Sequence, residues 1–223
     1  LKNQKNIKFI IGDIRDQERV DKVFLEFNPN IAIIASALKQ VDTCEQSPFE
    51  SIKTNVLGIN NVINSTVRYA DRLKKLNSVL LVSTDKACSP SNVYGMSKAL
   101  AERLITSSSN ENKNTKYIAV RYGNVLESRG SILPLFRFQG EFKSHLTVTH
   151  TNMTRFIMTL EESVDLIVSA LLGAKSGELW LPKLKSMKII DLAEIFSEEY
   201  SKPIRVVGIR PGEKLHEDLI SYS

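Results

Sequence analysis

The chain has 223 residues, of which 42% are hydrophobic and 25% charged, so it is long and apolar enough to bury one sizeable core. This composition excludes a disordered chain, a collagen and a coiled coil. The net charge is only +5 and no dense basic tract is present, so we predict no nucleic-acid partner. No apolar run approaches the roughly 18 residues of a membrane-spanning helix, so we expect no membrane partner either.

Short β-branched runs alternate with longer amphipathic stretches over the first half of the chain. This alternation is typical of a parallel sheet buried between covering helices. The predicted strands are residues 8–12, 31–36, 78–84 and 117–124, and the predicted helices are 16–28, 47–75 and 92–108. We therefore predict an α/β fold with a doubly wound parallel sheet.

The sequence pattern changes after Asn124, where prolines interrupt a segment with two further predicted helices, 160–172 and 188–200. We predict a sheet domain over residues 1–125 and a smaller lobe over 126–223, from which some segments can return to the sheet domain. The two cysteines, Cys44 and Cys88, have no metal-knuckle spacing and are too few for a disulfide framework. We expect reduced thiols and no metal site.

A polar run ends the third predicted strand and is formed by Ser83, Thr84, Asp85 and Lys86. Ligands of a doubly wound sheet bind at the carboxyl ends of its strands, so we expect these side chains to face a cleft. Tyr94 and Lys98 lie four residues apart and share one face of the next helix. A nearby ammonium lowers the pKa of a tyrosine, which predicts Tyr94 as a general base. A Tyr-x-x-x-Lys pair alone is weak evidence for a catalytic role. Its position just after the polar strand end strengthens that prediction.

Four features resemble the extended short-chain dehydrogenase/reductases: Ser83-Thr84, Tyr94-x-x-x-Lys98, the turn Gly12-Asp13-x-x-Asp16, and Ala35-x-Ala37. Within that superfamily, six ordered motifs resemble the UDP-N-acetylglucosamine 4,6-dehydratases, particularly those that invert C5. These motifs are ALKQV (37–41), STDKA (83–87), RYGNV (121–125), SRGS (128–131), MTRF (153–156) and RPGEKL (210–215). The resemblance implies a Rossmann-like sheet domain that binds NADP and a smaller C-terminal substrate-binding lobe.

One feature of that family, the glycine-rich loop that cradles the cofactor pyrophosphate, is missing, since no two glycines lie closer than four positions. The first strand–helix–strand unit of the domain would carry it. The chain starts at Leu1 rather than Met. Either the chain is a fragment of a longer enzyme, with that unit preceding Leu1, or it has lost the loop and cannot hold a dinucleotide in the usual way. We favour the fragment.

The resemblance also assigns catalytic roles. A 4,6-dehydratase oxidises C4 by hydride transfer, removes the C5 proton as the C6 hydroxyl leaves, and returns the hydride to C6. Tyr94 is expected to act at O4, supported by Thr84 and Lys98. Asp85 is expected to be the acid of the elimination and Lys86 its base. From spacing alone, Asp85 and Lys86 could equally form a solvated turn.

Binding residues follow from the same resemblance. For the cofactor these are Asp13 and Ile14 at the adenine, and Ala35, Ala37, Lys39, Ser83, Tyr94 and Lys98 at the nicotinamide half. For the UDP-sugar they are Lys39, Asn124, Arg129, Thr149, Arg210 and Glu213. Arginine suits a diphosphate because its planar fork donates two hydrogen bonds at once. We expect no catalytic histidine: His145 and His150 are predicted in loops and His216 at the start of a helix.

The resemblance therefore predicts an enzyme, a hydro-lyase that dehydrates UDP-N-acetylglucosamine with NADP for glycan biosynthesis. Two alternatives within the fold stay open, a nucleotide-sugar 4-epimerase and a dehydratase of another hexose. A third is a non-catalytic protein that binds a nucleotide sugar or a partner chain. We expect a homodimer or higher oligomer through the helices of 47–75 and 92–108. We also expect a cytoplasmic location, where nucleotide sugars and reduced cysteines occur together.

Overall fold

Parallel strands form the main sheet of this computed structural model, which describes residues 7–128 and 130–221. Its order is β1–β2–β3–β7, formed by Ile31–Ile34, Ser78–Val82, Lys116–Val120 and Leu179–Trp180. Side chains of β3 alternate between two apolar clusters, with Tyr117 and Ala119 in one and Ile118 and Val120 in the other. Burial on both faces explains the continuous apolar runs in the sequence.

Helices cover both faces of this sheet. Helices α1 (Gln17–Phe27), α4 (Gly58–Arg68) and α5 (Val93–Ser107) contribute to the first cluster, and α7 (Leu160–Gly173) contributes to the second. Asp16 caps α1 by accepting a hydrogen bond from the Arg19 amide. The doubly wound α/β fold predicted from the sequence is confirmed.

The predicted strand over residues 8–12 is wrong. No strand is assigned to residues 7–13, and the side chains of Phe9 and Ile11 are 77% and 94% exposed. A strand exists only where a neighbour pairs with its backbone, and none of the described strands pairs with this segment. The Ile11 carbonyl instead accepts a hydrogen bond from Arg19 Nε at 3.0 Å.

The predicted helix over 47–75 is interrupted, and a short helix α2 (Val41–Gln46) precedes it. The segment predicted as one helix consists of α3 (Pro48–Ile52), a π-helical turn (Lys53–Leu57) and α4. It ends at Arg68 rather than at residue 75. Within the π-turn, the Asn55 amide bonds to both the N–H and the carbonyl of Leu38, at 2.8 and 2.9 Å. These two hydrogen bonds anchor the loop that follows β1 to the π-helical turn.

The predicted strand 117–124 is divided between two sheets. Strand β3 ends at Val120, and Asn124–Val125 forms β4, which pairs with β6 (Thr154–Met158) in a second sheet. The remaining strand of that sheet, β8 (Lys185–Lys188), is antiparallel to β6. The chain therefore leaves the main sheet after Val120. At this point it lies beside the polar run that follows β2.

The C-terminal half adds a second core. Helix α6 (Ile132–Phe142), helix α8 (Ile189–Tyr200) and the paired strands β5 (Leu146–Val148) and β9 (Ile204–Val206) surround it. The rings of Phe136 and Phe196 lie 5.6 Å apart at its centre. Two elements of the same half belong to the main sheet domain. Strand β7 pairs with β3, and α7 packs on the sheet, where Ala170 joins the cluster around Leu80. Within the described ranges, none of the helices combines the length and apolar character that crossing a bilayer requires.

Candidate active site

The polar run after β2 forms a tight turn at the carboxyl end of the sheet. Thr84 has extended backbone and caps one 3₁₀ turn, Asp85–Ala87, by accepting from the Lys86 amide. The Asp85 amide donates to the Tyr122 carbonyl at 2.9 Å, and Lys86 Nζ donates to Asp85 Oδ1 at 3.0 Å. The Asp85 side chain is fully buried, so the alternative of a solvated turn is wrong.

Helix α5 packs directly against this turn. Asn92 caps the helix by accepting from the Gly95 amide at 2.7 Å, which places Tyr94 in the first turn. A Cβ at position 95 would overlap the carbonyl oxygen of Lys86, so only glycine permits this approach. Tyr94 and Lys98 are both buried on the side of the helix that faces the turn.

Burial dominates the electrostatics of the Tyr94–Lys98 pair. It raises the pKa of Tyr94, and a hydrogen bond with Thr84 acts in the opposite direction. It also lowers the pKa of Lys98 to about 8, which the nearby Glu102 partly opposes. Lys98 Nζ donates to the Val82 carbonyl at 2.6 Å. The expected lowering of the Tyr94 pKa is therefore wrong for this structure, because the ammonium faces a backbone carbonyl and burial disfavours the phenolate.

A cavity of about 440 Å³ lies over the turn and helix. Its walls include most residues that the sequence singled out, namely Ala35, Ala37, Lys39, Ser83, Thr84, Lys86, Tyr94, Lys98, Asn124, Arg210 and Glu213. A second cavity of about 240 Å³ extends toward the C-terminal lobe and includes Thr149. Lys86, Asn124, Arg210 and Glu213 line both, so we treat the two as one cleft.

Two of the described residues predicted to bind the cofactor do not line this cleft. Asp13 is exposed and bonds to Arg15 at 2.6 Å, and this hydrogen bond lowers the pKa of Asp13 to about 2. Ile14 packs near Gly58. Arg129 lies outside the described residues. In the part of the chain that the structure describes, no group of His, Cys, Asp and Glu is arranged to hold a metal ion.

A C-terminal strap, residues 210–219, crosses from the lobe to the region of the turn Asp85–Ala87. The Gly212 carbonyl accepts from Asn92 Nδ2 at 2.8 Å, and Lys214 Nζ donates to the Cys88 carbonyl at 2.8 Å. His216 lies in a bend rather than at the predicted helix start, and its Nδ1 is 2.8 Å from Thr154 Oγ1. These contacts attach the strap to the chain before α5 and to β6.

The structure also reveals a buried ion pair beside the site that the sequence analysis missed. Arg121 Nη2 donates to Glu102 Oε2 at 2.6 Å, and Ser83 Oγ donates to Glu102 Oε1 at 2.5 Å. Arg121 Nη1 also donates to the Leu219 carbonyl at 2.6 Å. The arginine opens the RYGNV motif (121–125), which was the available signal. This network joins the ends of β2 and β3, helix α5 and the strap.

Known proteins share this chain's sequence and fold. The family model of the polysaccharide biosynthesis proteins matches residues 1–223. UDP-N-acetylglucosamine 4,6-dehydratase (inverting) of Campylobacter jejuni subsp. jejuni is 40% identical, covering 98% of this chain and 64% of the relative. UDP-glucose 4-epimerase of Rickettsia rickettsii is 39% identical, covering 98% of this chain and 63% of the relative. The X-ray structure of Pen from Bacillus thuringiensis is similar with a TM-score of 0.91 at 38% identity, covering 99% of this chain and 68% of that one. This chain therefore spans less than two thirds of either sequence relative.

Proposed function

The chain belongs to the polysaccharide biosynthesis protein family, and we propose that it carries the catalytic centre of a UDP-N-acetylglucosamine 4,6-dehydratase that inverts C5. The observation that carries this proposal is the Asp85–Lys86 pair, held beside Thr84, Tyr94 and Lys98 at one cleft. The product would be a UDP-4-keto-6-deoxy-N-acetylhexosamine for glycan synthesis.

The residues of the larger cavity fit a nicotinamide dinucleotide, which we propose to be NADP. The small side chains of Ala35 and Ala37 leave room along one wall, and Lys39 and Lys98 bring positive charge. When bound, the cofactor would supply the acceptor for the C4 hydride and its return to C6. Lys98 would hold a ribose hydroxyl, since a nitrogen buried beneath the cavity is positioned to donate to it.

The protons move on this chain's own side chains. Tyr94, once ionised to the phenolate, would take the proton from O4, and Thr84 would hold O4 by a hydrogen bond. Lys86 would accept the C5 proton, and Asp85 would supply the proton with which the C6 hydroxyl leaves as water. For these roles the proton shared by Lys86 and Asp85, whose polar atoms lie 3.0 Å apart, would first move to the carboxyl, which leaves Lys86 neutral. Asp85 lines neither cavity, so its proton would reach O6 through the Thr84 hydroxyl, 3.1 Å from Asp85 Oδ1.

The UDP-sugar would occupy the part of the cleft toward the lobe. Asn124 at β4 would contact the sugar, and Thr149 and Arg210 would hold the diphosphate and uridine. Glu213 Oε2 accepts from the Arg210 amide at 3.2 Å, which fixes the turn that presents the arginine. Positive φ at Gly212 completes this turn, and a side chain there would meet Asn92.

A UDP-glucose 4-epimerase is the second candidate, because relatives of that name are as similar as the dehydratases. An epimerase of this fold needs the tyrosine and a returned hydride, and no second acid–base pair. The buried contact between Asp85 and Lys86 therefore supports the dehydratase. The same juxtaposition of five catalytic side chains argues against a protein that only binds its ligand.

We also propose that two copies pair through α5 and the helices that precede α4. Met96 and Leu100 on α5, and Phe49 and Leu57 on the neighbouring segment, are large apolar side chains left exposed in one chain. Apolar side chains grouped on adjacent helices are typical of a protein–protein interface. Sedimentation of the full-length protein tests this association.

The proposed activity is tested with the full-length protein, NADP and UDP-N-acetylglucosamine in deuterated water, with products followed by NMR and mass spectrometry. A 4-keto-6-deoxy product with deuterium at C5 is expected, and its C5 configuration reports inversion. Parallel incubation with UDP-glucose tests the epimerase. Conversion of UDP-glucose to its C4 epimer, with no dehydration of either substrate, would contradict the dehydratase.

Replacement of Lys86 by alanine separates the elimination from the oxidation. Lys86→Ala should abolish proton–deuteron exchange at C5, because it removes the base, while hydride abstraction from C4 remains detectable. A general base contributes about 10²- to 10⁴-fold to such a step. Lys183→Ala, at an exposed lysine outside the cleft, is the control. Normal exchange in Lys86→Ala would show that Lys86 is not the base.

A further inference from the structure

Lys86 lies between two buried carboxylates, and only one of them belongs to its own turn. Its Nζ is 3.0 Å from Asp85 Oδ1 and 3.4 Å from Oε1 of Glu217 on the strap. The Glu217 side chain is 2% exposed, which is unusual for a glutamate outside an ion pair. Glu217 thus reaches Lys86 from the C-terminal end of the chain.

Both carboxylates have a second oxygen without a partner. Asp85 Oδ2 and Glu217 Oε2 are buried and accept no hydrogen bond from any described residue. Burying a carboxylate costs free energy unless a cation or a hydrogen-bond donor compensates its charge. For Glu217 that cation is Lys86. Among the described residues, the other cations that line the 240 Å³ cavity are Arg155 and Arg210. Arg155 donates to the backbone carbonyls of Thr154 and Leu215, at 2.7 and 3.2 Å.

The backbone around Glu217 is fixed independently of its side chain. On its N-terminal side the Leu215 carbonyl accepts from the Thr154 amide at 3.1 Å, and on its C-terminal side the Leu219 carbonyl accepts from Arg121. The carboxylate is therefore presented to Lys86 by a segment anchored to both the lobe and the main sheet. This anchoring distinguishes Glu217 from a side chain that finds a lysine by chance.

We propose that Glu217 is a positioning residue for the elimination: as a second carboxylate on Lys86 Nζ, it keeps that nitrogen at the wall of the cleft while Asp85 stays bonded to it. With Glu217 present, the nitrogen is shared between two carboxylates and lines both cavities. Without it, Asp85 is the one remaining carboxylate bonded to Lys86 among the described residues. The inference rests on the proposed dehydratase function.

Glu217→Gln tests the role, because it keeps the shape of the side chain and removes its charge. In the full-length enzyme, C5 exchange and kcat should fall at least about tenfold, within the range of a misplaced general base, while KM stays within about twofold. Formation of reduced cofactor by C4 oxidation should continue. Glu217→Asp keeps the charge and should recover part of the exchange. Asp218→Asn, which removes an exposed carboxylate from the next position, is the matched control.

The outcomes separate the two hypotheses. Exchange in Glu217→Gln that equals the wild type overturns the positioning role, and so does a parallel loss of C4 oxidation and C5 exchange. If Glu217→Gln does not fold, Glu217→Asp decides, since a shortened carboxylate should still lower exchange relative to C4 oxidation. A wild-type enzyme that shows no C5 exchange contradicts the proposed function itself.

Discussion

Replacing Lys98 by methionine tests how burial acts on the amine that α5 carries beside the turn Asp85–Ala87. Methionine preserves the length and apolar character of the side chain and removes the amine. Burial lowers the pKa of Lys98 from 10.5 to about 8, which corresponds to about 3 kcal/mol of cost to the folded state when the amine is charged. The lost hydrogen bond to Val82 offsets about 1 kcal/mol of this gain. At neutral pH we expect Lys98→Met to be more stable than the wild type by about 2 kcal/mol.

The stability difference between Lys98→Met and the wild type should depend on pH. Between pH 8 and pH 10.5 the unfolded chain holds the Lys98 proton and the folded chain has released it, so the stability of the wild type rises with pH. The advantage of Lys98→Met should therefore shrink by about 1.4 kcal/mol for each pH unit in this window. Tyr94 and all other groups are common to both proteins and cancel in the difference.

Urea denaturation of both proteins across this window measures the difference directly, provided that the m-values agree. A constant difference from neutral to alkaline pH would show that Lys98 titrates alike in the folded and unfolded chains. The burial argument would then be refuted. A wild type that is more stable at neutral pH would equally refute it, because a favourable interaction would then outweigh the desolvation of the amine.

Two further predictions concern the packing beside the site. Gly95→Ala should lower the free energy of unfolding by about 1–3 kcal/mol, because the new Cβ overlaps the Lys86 carbonyl. Thermal denaturation measures the loss, and Ser107→Ala, at an exposed position on the same helix, is the control. Glu102→Gln should cost about 3–5 kcal/mol because it leaves the Arg121 guanidinium buried without its carboxylate, and adding Arg121→Met should restore part of the loss. Equal stability of Glu102→Gln and wild type in urea would contradict that reasoning.

Strands β1, β2 and β3 of the main sheet could be predicted because their signals are local, whereas the two-residue strand β7 was not predicted. Strands β2 and β3 are mainly apolar runs, and α5 follows an Asn that caps it, so period and capping place β2, α5 and the start of β3 within two residues; the end of β3 was predicted four residues too late. The order of the motifs identified the family, and the family match confirms it. The shorter elements of the lobe, such as β5 and β9, escaped prediction because three residues carry too little periodicity.

The sequence by itself determined the fold class and the grouping of Thr84, Asp85, Lys86, Tyr94 and Lys98, since these residues lie on one turn and the helix after it. Tertiary structure alone decided what surrounds them. Whether residues 8–12 form a strand depends on a neighbour that pairs with them, and the pKa of a tyrosine depends on burial rather than on spacing. Glu217 reaches Lys86 only because the strap is anchored to two distant elements, and a contact between remote segments leaves no periodic pattern in the sequence.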